Sequence, residues 1–336
     1  MDSVSKVRYR ACLRQDLDRL VEFAQRMKKE HSVDFLPQSP QAFLAKYSRY
    51  NSSSNELNMS ILESSDSRII GCTGYIPFQG LFAGQSIKGF LGTDAAIDPE
   101  SRKILPNLAP VLAHSYEHLV RLERLLPLAC PANPKVSQDF QKVQWRRFAT
   151  IYRFSHPSLA RFVPDKESPL YQIREVDILP AQLNIFFKKV SRQHFFLMNT
   201  DVDFLNWKYF KNPYNNYRVM VAFRQGQILG YIVTQSVYSD TSIVDCVIDL
   251  DHPDLLILLI CKSLSYCPQP QIARTFFYLS HKDYISILKK AGFISTWAVE
   301  CLFFKVGLIY CKIDQNLFYQ ADSDYYHFNG FDQFFY

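Results

Sequence analysis

Apolar and polar positions alternate along Val7-Arg8-Tyr9-Arg10-Ala11-Cys12, the two-residue period of a strand with one buried face. The period then changes. Leu17, Leu20, Val21 and Ala24 recur at helical spacing, which predicts a helix begun near Asp16. Pro37, Ser39 and Pro40 interrupt it, Phe43, Leu44 and Tyr47 mark a second short helix, and Asn51-Ser52-Ser53-Ser54-Asn55 reads as a polar loop. Two strands are predicted next, Met59 to Leu62 and Ile69 to Tyr75, with Ser65-Asp66-Ser67 as their turn. A third, Ile87 to Ile97, runs into Asp98-Pro99-Glu100-Ser101-Arg102. A helix with apolar positions Leu108, Val111, Leu112 and Leu119 then precedes a strand from Leu125 to Cys130.

The same order starts again at Tyr171-Gln172-Ile173-Arg174-Glu175-Val176, with a helix near Leu183 to Phe187. Local echoes support a repeat. Phe43-Leu44 has its counterpart in Phe204-Leu205, Ser67-Arg68-Ile69-Ile70-Gly71-Cys72 in Gly226-Gln227-Ile228-Leu229-Gly230-Tyr231, and Asp94-Ala95-Ala96-Ile97-Asp98 in Asp245-Cys246-Val247-Ile248-Asp249. Three echoes in the same order within two equal halves argue for an internal repeat. The pattern predicts an α/β chain of two similar domains, residues 1–156 and 170–336, joined by a linker over 157–169 where Pro157, Pro164 and Pro169 punctuate a polar stretch. A length of 336 residues fits two domains of ordinary size.

Composition narrows the partners. With 48% hydrophobic and 21% charged residues the chain can bury a core throughout. Its 27 Phe and 20 Tyr serve either as extra aromatic core or as the walls of pockets for apolar or acyl-bearing ligands. The net charge of +6 is scattered, so no nucleic-acid stripe is present, while a mild positive field favours an anionic cofactor. Eight cysteines without a C-x-x-C pair match no zinc module and point to free thiols in the cytoplasm. No metal is expected. The N-terminus has no apolar leader, and the densest apolar run, Leu255 to Cys261, is too short to span a bilayer.

The order β-α-α-β-β-β-α-β-α, with a strand ending in Asp98-Pro99-Glu100-Ser101-Arg102 before a helix, resembles the GNAT superfamily of acyl-CoA-dependent N-acyltransferases, twice over. The resemblance implies two tandem GNAT-like domains, each a mixed, mostly antiparallel sheet flanked by helices. It also implies that Asp94 to Asp98, with Ala95, Ala96 and Ile97, offers backbone groups to the donor's pantetheine arm. The loop from Arg102 through Lys103 to Asn107 would cradle its pyrophosphate, where a helix N-terminus favours anions. Ala132-Asn133 matches the family's Ala-Asn pair, which adds Asn133 to the donor site. The loop departs from the family's Arg/Gln-x-x-Gly-x-Gly/Ala in carrying Leu105 and Asn107 at the glycine places, so Arg102 and Lys103 side chains are expected to hold the phosphates. In the second half Asp249-Leu250-Asp251-His252-Pro253-Asp254 puts acids at that place. The donor is therefore expected in the first half and the acceptor pocket in the second. The family's Tyr, four residues before Gly-Phe, is replaced by Phe140 in the first half and by Leu288 in the second, ahead of Gly292-Phe293.

Acyl transfer to an amine needs a deprotonated amine, a polarised thioester carbonyl and a proton for the leaving thiolate. Asp94, on the expected donor strand, is the candidate base, and Asp245 is its echo; the alternative for both is a strand acid satisfied by backbone or Arg partners. Tyr75 is a candidate proton donor to the thiolate or a core residue, and His281, beyond a second-half strand, is a further candidate. His114 and His118 share a helix face but lack the acid that follows the first His of a zinc helix. The segment Asp203 to Tyr214 reads equally as an acceptor wall or as an amphipathic helix. The apolar tail from Tyr325 to Tyr336 is expected to cross a groove or cover a sheet edge. The leading function is transfer of an acyl group, with room for one longer than acetyl, from acyl-CoA or acyl carrier protein to an amine of a small metabolite, sugar or peptide. The alternatives are a Fem-type aminoacyl transferase and a catalytically silent binding module.

Overall fold

The structure is a computed structural model and describes residues 7–33, 36–48, 55–103, 126–129, 145–156, 170–194, 196–198, 200–211, 216–237, 240–265, 274–279, 281–305 and 326–327. In the first half, β1 (Arg8–Leu13) leads through a short 3-10 turn into α1 (Leu17–His31), and α2 (Pro40–Tyr47) follows, its first turn capped by the Ser39 hydroxyl on the Ala42 amide at 3.2 Å. Then come β2 (Glu56–Glu63), β3 (Ile69–Phe82), β4 (Gln85–Ile97), α3 (Pro99–Arg102), β5 (Leu126–Ala129) and β6 (Trp145–His156). The second half runs β7 (Gln172–Glu175), α4 (Leu183–Val190), β8 (Phe196–Leu197), α5 (Val202–Asn206) with a π-helical continuation (Trp207–Lys211), β9 (Tyr217–Arg224), β10 (Gln227–Val237), β11 (Asp240–Ile248), α6 (Leu255–Ser265), β12 (Arg274–Leu279), α7 (Lys282–Lys290), β13 (Ile294–Lys305) and β14 (Tyr326–His327). The expected helix through Leu108 to Leu119 and the linker 157–169 lie outside the described residues.

The apolar face of α1 (Leu20, Phe23, Ala24 and Met27) and that of α2 (Phe43 and Tyr47) pack on Met59, Ile61, Ile69, Cys72 and Ala96. This is the helical and strand periodicity of the sequence put to use. The second half has a core on each face of its sheet. One joins α4 and α5 to Val219, Val221, Tyr231 and Val247, and the other joins α6 and α7 to Met220, Ile232 and Cys246.

The strands form one sheet in the order β1-β2-β3-β4-β5-β13-β6-β12-β11-β10-β9-β7. Most neighbours are antiparallel, but β4 pairs β5 in parallel and β11 pairs β12 in parallel. Each half's last strand crosses over. β13 pairs β5 at Phe303 and Ala129, β6 pairs β12 from Thr275 and His156 to Leu279 and Tyr152, and β6 and β13 pair with each other from Ile294 and Ser155 to Lys305 and Trp145. Exchanging β5 with β12 and β6 with β13 maps this pairing onto itself, so a pseudo-twofold axis passes between the two crossed strands. Each half contributes a mixed, mostly antiparallel sheet, and the exchange fuses the two.

A second joint lies at the tip of the β3–β4 hairpin. Leu81 and Phe82 pair with Leu197 and Phe196 of β8, Gln79 O accepts from Thr200 N at 2.9 Å, and Ile76 and Leu81 enter the second half's core. Gly80 permits the approach, since a Cβ there would stand 2.4 Å from Leu197 O. Of the tail, Tyr326 and His327 add in parallel to β8, covering a strand edge. Unfolding either half alone would strip pairing from the other's last strand. Urea denaturation is therefore expected to give a single transition, coincident by tryptophan fluorescence and far-ultraviolet circular dichroism; two resolved transitions would show that the halves are independent.

Candidate active site

Register defines the centre of the first half. Along β3 and β4, Cys72 pairs Ala96 but Gly74 pairs Thr93, so Asp94 and Ala95 stand opposite Thr73 alone, a β-bulge. Asp94 takes the left-handed conformation, φ 50°. That conformation costs about 1–2 kcal/mol for a residue with a Cβ, least for Asp and Asn. Among the described residues, the parallel pairing of β4 with β5 runs from Gly89 with Leu126 to Gly92 with Ala129, two residues before Asp94. Asp98 N donates to Ile70 O at 2.9 Å, towards β3; by strand alternation the Ile97 amide points to the β5 side.

The Asp94 side chain is 6% exposed. Its Oδ2 pairs with Lys46 Nζ at 2.8 Å and accepts from the Tyr47 hydroxyl, and its Oδ1 accepts from Thr93 Oγ1 at 3.0 Å. Burial, then the Asp94 charge, pushes the Tyr47 phenol well above its usual pKa, so it stays a donor. Gly74 makes room for that ring, since a Cβ at 74 would lie 2.3 Å from Tyr47 Cε1. Burial and the Asp94 charge likewise raise the Cys72 thiol, which removes it as a nucleophile.

The second half has the same skeleton. Val233 pairs Asp245 and Thr234 pairs Ile243, leaving Val244 as the bulge, and the parallel pairing of β11 with β12 ends at Ile243 with Phe277. Asp245 is 1% exposed, and its Oδ2 accepts from Tyr209 at 2.6 Å and Tyr231 at 2.9 Å. Beyond this point the halves differ. The Ile248 amide, equivalent to Ile97, donates to the Tyr284 hydroxyl at 2.7 Å; that hydroxyl lies 3.1 Å from His194 Nε2, and His194 Nδ1 lies 3.1 Å from Val190 O. A carbonyl only accepts, so Nδ1 carries the proton and Nε2 accepts from Tyr284. In the loop after β11, Leu250 N donates to Gln193 Oε1 at 2.8 Å, Asp251 N to Asp249 Oδ1 at 3.1 Å and His252 N to Asp249 O at 2.9 Å. Burial raises the Asp249 carboxyl, but Lys189 at 2.7 Å and Gln193 at 2.8 Å outweigh it and hold the group below its usual pKa. The Ile248 and Leu250 amides of this half are thus taken by Tyr284 and Gln193, whereas Asp251 N on Asp249 Oδ1 repeats Glu100 N on Asp98 Oδ1 in the first half.

The expected site residues fall into two groups. Asp94, Ala95, Ala96, Ile97, Tyr75, Arg102 and Lys103 belong to the first half, Asp245 and His281 to the second. Between β4 and β11 stand β5, β13, β6 and β12, five spacings of about 4.8 Å each. Asp94 and Asp245 thus cannot address one reacting atom. Tyr75 packs edge-on against Phe90 with centroids 5.7 Å apart. His281 is fully buried and caps α7: its Nδ1 accepts from Asp283 N at 3.3 Å and its Nε2 faces Gln193 O at 3.3 Å. Arg102 closes α3, whose first turn is capped by Asp98 Oδ1 on Glu100 N at 3.1 Å, and Lys103 pairs with Glu100 at 2.6 Å on the surface. Asn107, Asn133, Phe140, His114 and His118 lie outside the described residues.

No family model and no curated protein matches this sequence. Solved structures do match. A GCN5-related N-acetyltransferase from Kribbella flavida has TM-score 0.64 and 12% identity, covering 90% of this chain and 72% of that one. A tandem GNAT protein from the clavulanic acid biosynthesis pathway has TM-score 0.57 and 12% identity, covering 89% of this chain and 98% of that one. The fold is a tandem GNAT fold. Saccharomyces cerevisiae N-myristoyltransferase with bound myristoyl-CoA also matches, at TM-score 0.57 and 9% identity, over 89% of this chain and 82% of that one. Within the tandem GNAT fold, Lys46, Tyr47, His194 and Tyr284 carry the site's geometry without having been singled out in the sequence as candidates for chemistry, while Lys208 and Tyr209 lie in the segment read as an acceptor wall or an amphipathic helix. For Lys46 and Tyr47 the signal was present, since Phe43-Leu44-Ala45-Lys46-Tyr47 echoes Phe204-Leu205-Asn206-Trp207-Lys208-Tyr209 with one residue inserted.

His194 makes the second half's closure pH-dependent. Burial, then His281, lowers it from its ordinary 6.5 to about 3, so the folded protein keeps it neutral while the unfolded chain takes up a proton below 6.5. Its contribution to stability is complete above pH 6.5 and is lost as pH falls towards 3. His156, lowered by burial, acts in the same direction. Urea midpoints should fall between pH 6.5 and 5 in the wild type and fall distinctly less in His194→Gln; parallel slopes would contradict the neutral assignment.

Proposed function

We propose that the protein is an N-acyltransferase that takes an acyl group from acyl-CoA, or from acyl carrier protein, in its first half and passes it to an amine acceptor held by the second. One observation carries the reading. Each bulge lies beside a parallel strand pair, and the second half spends its Ile248 amide on Tyr284 and its Leu250 amide on Gln193. This favours a donor in the first half, beside Ala95 to Ile97, with its phosphates near Arg102 and Lys103. The likeness of the fold to N-acetyltransferases and to an N-myristoyltransferase supports the reaction class. The abundance of Phe and Tyr suits a chain longer than acetyl.

In the reaction the acceptor nitrogen forms the new bond to the carbonyl carbon, the carbon–sulfur bond breaks, and the amine's surplus proton leaves as the thiolate gains one. Tyr75, on the strand beside the donor strand, is the proposed proton donor to the thiolate. The acceptor is proposed to be a small-molecule or peptide amine. Cys12, Cys72, Cys246 and Cys261 are buried and unbridged, which fits the cytoplasm. No helix among the described residues is long and apolar enough to cross a membrane.

Incubation with acyl-CoAs of graded chain length, acyl carrier protein and aminoacyl-tRNA, each followed by mass spectrometry, tests the donor class. Arg102→Glu should weaken acyl-CoA binding by about tenfold or more in calorimetry, the scale of a lost charge-assisted contact, while His252→Glu in the second half leaves it unchanged. Equal loss in both variants, or none in either, refutes the assignment.

A further inference from the structure

We propose that Lys46, Tyr47 and Asp94 form a positioning clamp that fixes the β4 bulge, and through it the donor strand, and that this is the role of Asp94 in place of proton transfer. The proposal rests on the first half's being the donor half. Its first support is the direction of the carboxylate. A general base must turn a lone pair towards the acceptor nitrogen. Both oxygens of Asp94 instead receive protein donors, Lys46 and Tyr47 on one and Thr93 on the other, in a side chain that is almost wholly buried. Even its backbone oxygen has the Cys72 thiol 3.7 Å away.

The second support is the place the clamp acts on. Asp94 is the left-handed residue of the bulge, and the three positions after it are those expected to meet the donor. Lys46 and Tyr47 close the last turn of α2, whose Phe43 and Tyr47 are rooted in the first core. The clamp therefore ties the bulge to a helix packed across β3, and Gly74 of β3 is shaped to let the Tyr47 ring through. Loosening it would let the chain after Asp94 move relative to β5.

The third support is duplication. Lys208 and Tyr209 stand where Lys46 and Tyr47 stand, and Tyr209 reaches Asp245 beside the second bulge. The Lys46 ammonium lies 5.6 Å from the Tyr47 ring centroid, and that of Lys208 lies 5.1 Å from the Tyr209 ring centroid. Phe43 and Tyr47 are four residues apart on an α-helix, whereas Phe204 and Tyr209 are five apart, and the π-helical turn Trp207–Lys211 absorbs the extra residue. The tyrosine–aspartate contact persists in the half whose Ile248 amide is taken by Tyr284. A catalytic carboxylate would have no task there, but a bulge still has to be held.

Hydrogen exchange and donor binding separate the clamp from the donor reading. In full-length protein, Tyr47→Phe, which keeps the ring, and Lys46→Met should speed amide exchange at residues 93–97 at least about tenfold, the scale of one hydrogen bond to a charged group. Asp94→Ala should do the same. Asp94→Asn tolerates the left-handed conformation but loses the charge and one acceptor oxygen, so it should speed exchange at 93–97 less than Asp94→Ala does and, like the other clamp variants, raise the KM for acyl-CoA more than it lowers kcat. The clamp variants should raise the KM for acyl-CoA more than they lower kcat. Tyr209→Phe should speed exchange at 243–248 without changing acyl-CoA affinity. Unchanged exchange at 93–97 in Tyr47→Phe and Lys46→Met overturns the clamp. So does loss of kcat by two orders or more in Asp94→Asn with affinity intact, the signature of a base. A wild type that binds no acyl-CoA overturns the donor reading, while the exchange experiment still decides the clamp.

Discussion

A parallel pair of strands that begins hydrogen-bonded and then parts is the constraint on which the rest of the molecule depends. Backbone groups on the diverging edge need partners, because burying an amide without one costs roughly 1–3 kcal/mol. In the second half the partners come from within: Tyr284 takes the Ile248 amide, and His194 and Val190 extend the chain of bonds. In the first half the same edge is the proposed donor strand. The second half is closed by a few side chains, Gln193 and His194 after α4 and Tyr284 of α7, while the first is the half proposed to take the donor.

The bulge makes the parting possible, and holding a bulge at a residue with a Cβ needs compensation. At Asp94 this comes from an ammonium, a phenol and a hydroxyl, all protein groups, and the phenol is kept protonated by burial. Around the two bulges the sheet is stiffened by the exchange of β6 and β13, which places each half's last strand inside the other's sheet. The β3–β4 hairpin adds a second tie through β8 and the second core. The two halves are in this way parts of one continuous sheet, which suits the proposed reaction, in which both take part.

Much of the fold was legible because it is local. Period-two alternation located β1 to β4, and helical spacing located α1, α2 and α4, with shifts of a few residues at the ends; β3 runs seven residues past Tyr75 because its hairpin tip is buried in the other half. The strand exchange was not legible. β6 and β13 carry no local signal for which neighbour they choose, and the choice is made by long-range pairing. Asp94 was singled out by its place on the expected donor strand, with Asp245 as its echo, but Lys46 and Tyr47 were hidden by the one-residue insertion that the π-helical turn absorbs. Tyr284 was missed because it lies one helical turn before Leu288, the position compared with the family's Tyr, and its task emerges only when α7 is laid against β11.

The central claim is that two similar halves have been given one donor site. A crystal structure of the full chain grown with a non-hydrolysable acyl-CoA analogue tests it most directly. The account predicts one analogue per chain, its pantetheine arm against Ala95 to Ile97 on β4, with Tyr284 still bonded to the Ile248 amide. An analogue between β11 and β12 with Tyr284 displaced, or one in each half, would contradict it.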